Sequence, residues 1–185
     1  MHCVKSERTI EDTIKKSRFI GIATPCETEG QALQKLRHLA GQYADASHIA
    51  FAYRILTERG IVMRMHDAGE PSGTAGKPIY QHLEGKDLVN VLVVVVRYFG
   101  GIKLGAGGLT RAYGNSAKNA IAAAGLVDHV AYETLRLTQD YKQLPAFEYQ
   151  LQKLSGRIVE QDFSERIELL VTLPRENVDA LRGLL

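Results

Sequence analysis

The chain has 185 residues, enough for one domain or two small ones. Its content of 45% hydrophobic and 24% charged residues excludes a disordered chain and matches a protein that buries a core. A formal net charge of +2 makes no case for a nucleic-acid partner by itself, so any electrostatic case rests on where the charges lie.

Read in order, RTIEDTI and SRFIGIATPC lean toward β structure and are divided by Lys15, Lys16 and Ser17, which predicts two strands or one bent strand. Thr28 followed by Gln31 reads as a capping box, and Leu33, Leu36, Leu39, Ala40 and Tyr43 recur at helical spacing, so a helix is expected from Glu29 to Tyr43. HIAFAYRIL and GIVMRMH, separated by the turn-prone residues 57–60, predict an antiparallel hairpin. The loop DAGEPSGTAGKP, residues 67–78, holds three glycines and two prolines, a density that demands particular backbone angles. A short helix is expected from Ile79 to Glu84. The strand from Val89 to Val96 shows no polar alternation, as a central strand covered on both faces would. The loop GGIKLGAGG and the small-residue helix LTRAYGNSAKNAIAAA follow.

A composition shift near residues 125–129 marks a boundary, giving expected domains 1–129 and 130–185. In the second, residues 131–138 read as a strand, Leu144, Phe147, Leu151 and Leu154 as a helix closed by Gly156, RIVEQDF and RIELLVTL as a hairpin, and Glu176 to Leu185 as a last helix. That β-α-β-β-α order is one strand short of a ferredoxin-like unit, so the second domain is expected to be truncated.

Most of the chemistry falls in one window. From Leu88 to Val127 there is no Asp or Glu, although the chain holds 21 acids, while Arg97, Lys103, Arg111 and Lys118 all lie inside it. The glycine spacings fail as nucleotide motifs: a P-loop at Gly76-Lys77 has prolines at two required positions, the spacing from Gly100 to Gly105 runs into Ala106, and the dinucleotide pattern from Gly105 meets Thr110 where its third glycine should stand. What survives is either a site for an anion on free backbone N–H groups at a helix N-terminus, built from Gly100, Gly101, Gly105, Gly107 and Gly108, or glycines that only permit close helix-to-sheet packing beside solvated bases. Arg111, Asn115 and Lys118 share one face of the helix, and Leu109, Ala112, Tyr113, Ser116 and Ala120 the packing face. Arg97, at the end of an apolar strand, either binds phosphate or pairs with Asp67 or Glu70, in which case DAGEP and RYFGG form one structural clasp. Asp67 and Glu70 are also readable as an acid-base pair, although their spacing suits backbone capping better. His48 and His66 read as satisfied structural histidines, and no Ser, His and Asp assemble a triad. Cys3 and Cys26, the only cysteines, lack CxxC spacing and a nearby histidine pair, which argues against a disulfide framework or a zinc site. The N-terminal segment has no apolar core of signal-peptide length, and VLVVVV is broken at Arg97 short of a membrane span. A cytoplasmic protein with no membrane partner, metal or cofactor is expected.

DAGEPSGTAGKPI and VVVVRYFGGIKLGAGGLTRAYG together resemble the signature of the IMPACT family, including its YigZ-like bacterial members; the likeness runs from about Ile14, through KKSRFI and ASHIAFAY, to about Ala124. The resemblance implies a mixed α/β (α+β) chain: an N-terminal domain like ribosomal protein S5 domain 2 and domain IV of elongation factor G, then a small ferredoxin-like domain lacking its last strand. The motif positions correspond to Asp67, Glu70, Gly73, Thr74, Gly76, Arg97, Gly100, Gly101, Gly105, Gly107 and Gly108. Eukaryotic members are linked to translational regulation through a further domain that this sequence does not show, so their partner does not transfer. The leading expectation is a non-catalytic protein that binds RNA, the ribosome or the translation machinery through Lys77, Lys103, Arg111 and Lys118. Its competitors are an enzyme acting on a phosphorylated or otherwise anionic small molecule cradled by the glycine loop, and a purely structural interaction protein.

Overall fold

Where the sequence changes from strand-forming residues to turn formers, the computed structural model, which describes Met1–Leu185, turns the chain. Strand β1 spans His2–Val4, β2 Arg8–Ile14 and β3 Ser17–Pro25. Lys15 and Lys16 take positive φ of 46° and 65°, so the β-leaning stretch is a tight hairpin of two strands in which Ile14 faces Ser17. Helix α1, Glu29–Gln42, is capped by Thr28, whose hydroxyl accepts from the Gln31 N–H, while the Gln31 side chain reaches back to the Glu27 N–H. Strands β4, His48–Thr57, and β5, Gly60–His66, form the expected hairpin.

Helix α2 spans Gly76–Gly85 and begins three residues before the expected Ile79, because Asp67 caps it from outside its own sequence. Strand β6, Val91–Tyr98, starts two residues later than expected because Asn90 takes φ 54° and breaks the extended run; it then carries on through Arg97. Helix α3, Gly105–Ala124, already includes GAGG, so those residues are its first turn rather than the loop that leads to it. Strand β7, Leu126–Asp128, pairs with β1; neither is legible as a strand in the sequence.

The larger sheet has the order β2-β3-β6-β4-β5 and every pairing in it is antiparallel. Side chains of β6 alternate between two apolar clusters. Val91, Val93 and Val95 join α2 and α3 through Ile79, Leu83, Tyr113 and Ala117, and Leu92, Val94 and Val96 join Leu39 of α1. Each of these fully buried valines and leucines contributes about 1.5–3 kcal/mol, so the strand anchors both layers.

The chain divides into two compact units, Met1–His129 and Val130–Leu185. The second holds β8, Tyr132–Gln139, α4, Leu144–Lys153, β9, Arg157–Phe163, β10, Ile167–Pro174, and, after a 3-10 turn, α5, Val178–Arg182. Its sheet order is β8-β10-β9, and Phe147, Leu151, Leu169, Val171 and Leu181 are among its core. The last helix is shorter than expected: residues 175–177 form the 3-10 turn, and Gly183–Leu185 stand past its end. At the end of α4 it is Ser155, at φ 56°, that takes the left-handed position, while the Gly156 N–H closes onto the Leu151 carbonyl at 2.8 Å.

Candidate functional site

DAGEP and RYFGG meet in a buried polar cluster. Glu70 and Arg97, with side chains 3% and 6% exposed, pair at 2.7 Å between Glu70 Oε1 and Arg97 Nη1. The same carboxylate oxygen accepts the Tyr113 hydroxyl at 2.7 Å. Burial first, and Glu70 itself second, push the Tyr113 phenol far above its ordinary pKa, so it stays protonated and keeps donating. Arg97 Nη2 reaches Ser17 Oγ at 3.4 Å, and its guanidinium carbon lies 5.7 Å and 5.3 Å from the ring centroids of Phe19 and Phe99. The alternatives for Arg97 thus resolve into the ion pair with Glu70. Both of its forked nitrogens are engaged inside the fold, and its Nε is buried without a hydrogen-bond partner.

Asp67 does separate work. Its Oδ1 accepts the N–H groups of Ala75 and Gly76 at 3.1 Å and 2.9 Å, and its Oδ2 that of Gly73 at 2.9 Å. Desolvation raises the carboxyl pKa, but those three backbone donors outweigh it and hold the group below its ordinary value. Asp67 therefore works as a backbone cap for the loop and the start of α2. His48 and His66 converge on one peptide: His48 Nδ1 donates to the Ala68 carbonyl at 2.8 Å, and His66 Nδ1 accepts the Ala68 N–H at 3.0 Å. The other ring nitrogen of His48, Nε2, faces Glu70 Oε1 at 3.5 Å. Cys26 is buried, which pushes its thiol up to about 11 and makes it a poor nucleophile.

The glycines divide by position. A Cβ on Gly100 would run into the Lys16 carbonyl, so the backbone after β6 lies directly on the β2–β3 turn. Gly105 takes φ 74° as it opens α3. Gly101 belongs to the connecting turn, whereas Gly107 and Gly108 lie within the first turns of the helix and form no separate cradle.

The basic residues divide too. Lys103 lies at the rim of a cavity beside the clasp, together with Gly105, Ala106 and Leu104. Arg111, Asn115 and Lys118 are exposed along α3, and the Arg111 guanidinium folds back toward Gly107. Lys77 is exposed on α2, which packs beside α3 where Gly114 approaches Pro78 and His82. Burial first, then Lys86 and Lys118, lower the pKa of His82, so cations of the two helices share one field. None of Lys77, Lys103, Arg111 and Lys118 enters an ion pair. Sequence reasoning missed Ser17 and the hydroxyl role of Tyr113. Ser17 carries no signal at all, and Tyr113 reads as an apolar packing residue until the packing of α3 on the sheet brings its hydroxyl to Glu70.

No three His, Cys, Asp or Glu side chains come together to hold a metal ion, and no helix is long and apolar enough to cross a membrane. Residues 15–121 match the model of the Impact N-terminal domain, and residues 137–185 match a domain of unknown function, DUF1949. IMPACT family member YvyE of Bacillus subtilis is 35% identical over 96% of this chain and 81% of its own length. IMPACT family member YigZ of Escherichia coli is 33% identical over 92% of this chain and 84% of its own. The crystal structure of a hypothetical protein superposes with a TM-score of 0.72 at 31% identity, over 98% of this chain and 89% of that one. With the clasp motifs intact inside a matched domain that takes up more than half its length, the chain belongs to the IMPACT family.

Proposed function

We propose that this protein binds RNA in the cytoplasm, on the ribosome or another part of the translation machinery, and regulates translation by binding rather than by catalysis. The observation that carries this reading is the set of exposed, unpaired cations Lys77, Arg111 and Lys118 on the adjoining helices α2 and α3, the second of which contains no acid. An exposed cation without a carboxylate partner keeps its full attraction for phosphate, and a row of them along a helix matches the spacing freedom of a flexible polyanion. Membership of the IMPACT family supports the translation setting, since the resemblance links eukaryotic members to translational regulation.

The test is the affinity of the purified protein for ribosomes and for structured RNA across a salt series. Affinity should fall steeply with salt. Arg111→Glu combined with Lys118→Glu should weaken it uniformly across sequences and reduce the salt slope by about two, one for each phosphate no longer neutralised. Absence of association even at low salt, or an unchanged slope in the double variant, would sink the reading.

A further inference from the structure

Beside the clasp lies a cavity of about 510 Å³, within the size range of small-molecule sites. The buried Glu70–Arg97 pair and the edge of His48 form its floor, Phe99, Leu104 and Leu109 give it apolar walls, and Lys103 stands on its rim. From these features we infer that the cavity is a binding site for a small organic anion, a phosphate or carboxylate carried on an apolar or aromatic body.

Charge decides the sign of the ligand. Glu70 is the only acid among the lining residues, and it is already matched by Arg97 and by the Tyr113 hydroxyl. Lys103 has no partner. The N-terminus of the 20-residue helix α3 opens onto the same space through Gly105 and Ala106, with no side-chain cap and no acid in its first turn. Uncapped N–H groups and the helix dipole add positive potential where Lys103 already stands. A second, independent sign of an unmet polar demand is Arg97, which lines the cavity while its buried Nε has no hydrogen-bond partner.

The walls decide the body. Phe99 is 50% exposed although it follows directly on the central strand, and with the mostly buried Leu104 and Leu109 it gives the cavity an apolar lining suited to a ring or short chain. His48 lines the cavity with both ring nitrogens already engaged, Nδ1 donating to the Ala68 carbonyl and Nε2 facing Glu70 Oε1 at 3.5 Å, so it adds shape and no free polar group. Lys103, assigned with the helix cations from the sequence, belongs to this cavity. The site is independent of the RNA-binding face, which rests on other residues.

The experiment titrates the full-length protein with phenyl phosphate, phenylacetate and inorganic phosphate while amide resonances are followed by NMR. Phenyl phosphate or phenylacetate should give saturable shifts at Gly105 and Ala106, and the better of them should bind at least about tenfold more tightly than inorganic phosphate. Lys103→Glu should weaken that binding at least about tenfold and Phe99→Ala should lower it, whereas Lys118→Glu, more than three helical turns from Gly105, should leave it unchanged. Preference for one aromatic probe assigns the anion as phosphate or carboxylate. The inference is overturned if neither aromatic probe shifts Gly105 and Ala106, if inorganic phosphate binds as tightly as both, or if Lys103→Glu binds them as the parent does.

Discussion

A buried charge is stable only while its partner remains, and Glu70 shows the consequence most directly. With both side chains almost wholly inside and Tyr113 donating to the same oxygen, removing one partner leaves an uncompensated ion in the core. Glu70→Ala should therefore cost about 3–5 kcal/mol of stability, measured by urea unfolding. Replacing both partners together, as Glu70→Gln with Arg97→Met, should recover a large part of that loss. If the single variant is as stable as the parent, the pair is not a structural bond. This pairing was half legible in the sequence: an arginine ending an apolar strand had to find an anion, and the proline-glycine loop offered two. Which of the two could be settled only by the turn at Ala68 and Gly69, at φ 53° and 85°, which aims Glu70 inward and leaves Asp67 facing the backbone of its own loop.

Helix α2 depends on a residue nine positions before its first one. Asp67 bonds the N–H groups of Ala75 and Gly76, so the helix start is stabilised by the loop rather than by the N-cap residue, whose alanine side chain has nothing to offer. Because the folded-state pKa of Asp67 is depressed, its contribution is complete above the ordinary value of 3.8 and is lost as pH falls through the lower folded value. The stability of Asp67→Asn should accordingly be lower than that of the parent near neutrality, by about 1.5–3 kcal/mol for charged hydrogen bonds, and should converge on it at strongly acid pH. Thermal unfolding across a pH series checks this, and a constant gap would remove Asp67 from its capping role. At this scale α1 was the easiest element to read, since Thr28 and Gln31 are local signals. The start of α2 was not, because its cap is remote in sequence and the helical glycine and proline in GKPI look like loop residues.

Each of the two units has its own apolar core, and the partition assigns mutational effects to one or the other. Leu169, fully buried in β10, packs in the core of the second unit, and Leu169→Ala should destabilise that unit by about 2–5 kcal/mol. Amide hydrogen exchange should then speed up along β8 and β10 while β6 keeps its protection. Faster exchange in both units would mean that they unfold as one.

By itself the sequence determined the elements whose causes are local: the capping box of α1, the hairpin of β4 and β5, and the uninterrupted apolar run that makes β6 central. It also determined the family resemblance and the acid-free window, both of which are properties of residue order. Tertiary structure decided the rest. The pairing of β1 with β7 joins segments too short to show a pattern, and the partner of Arg97 was decided only when the fold placed it beside Glu70, which Tyr113 also meets. The same placement separated Lys103 from Lys118, because a helix and the turn before it share a sequence neighbourhood but present their charges to different surroundings.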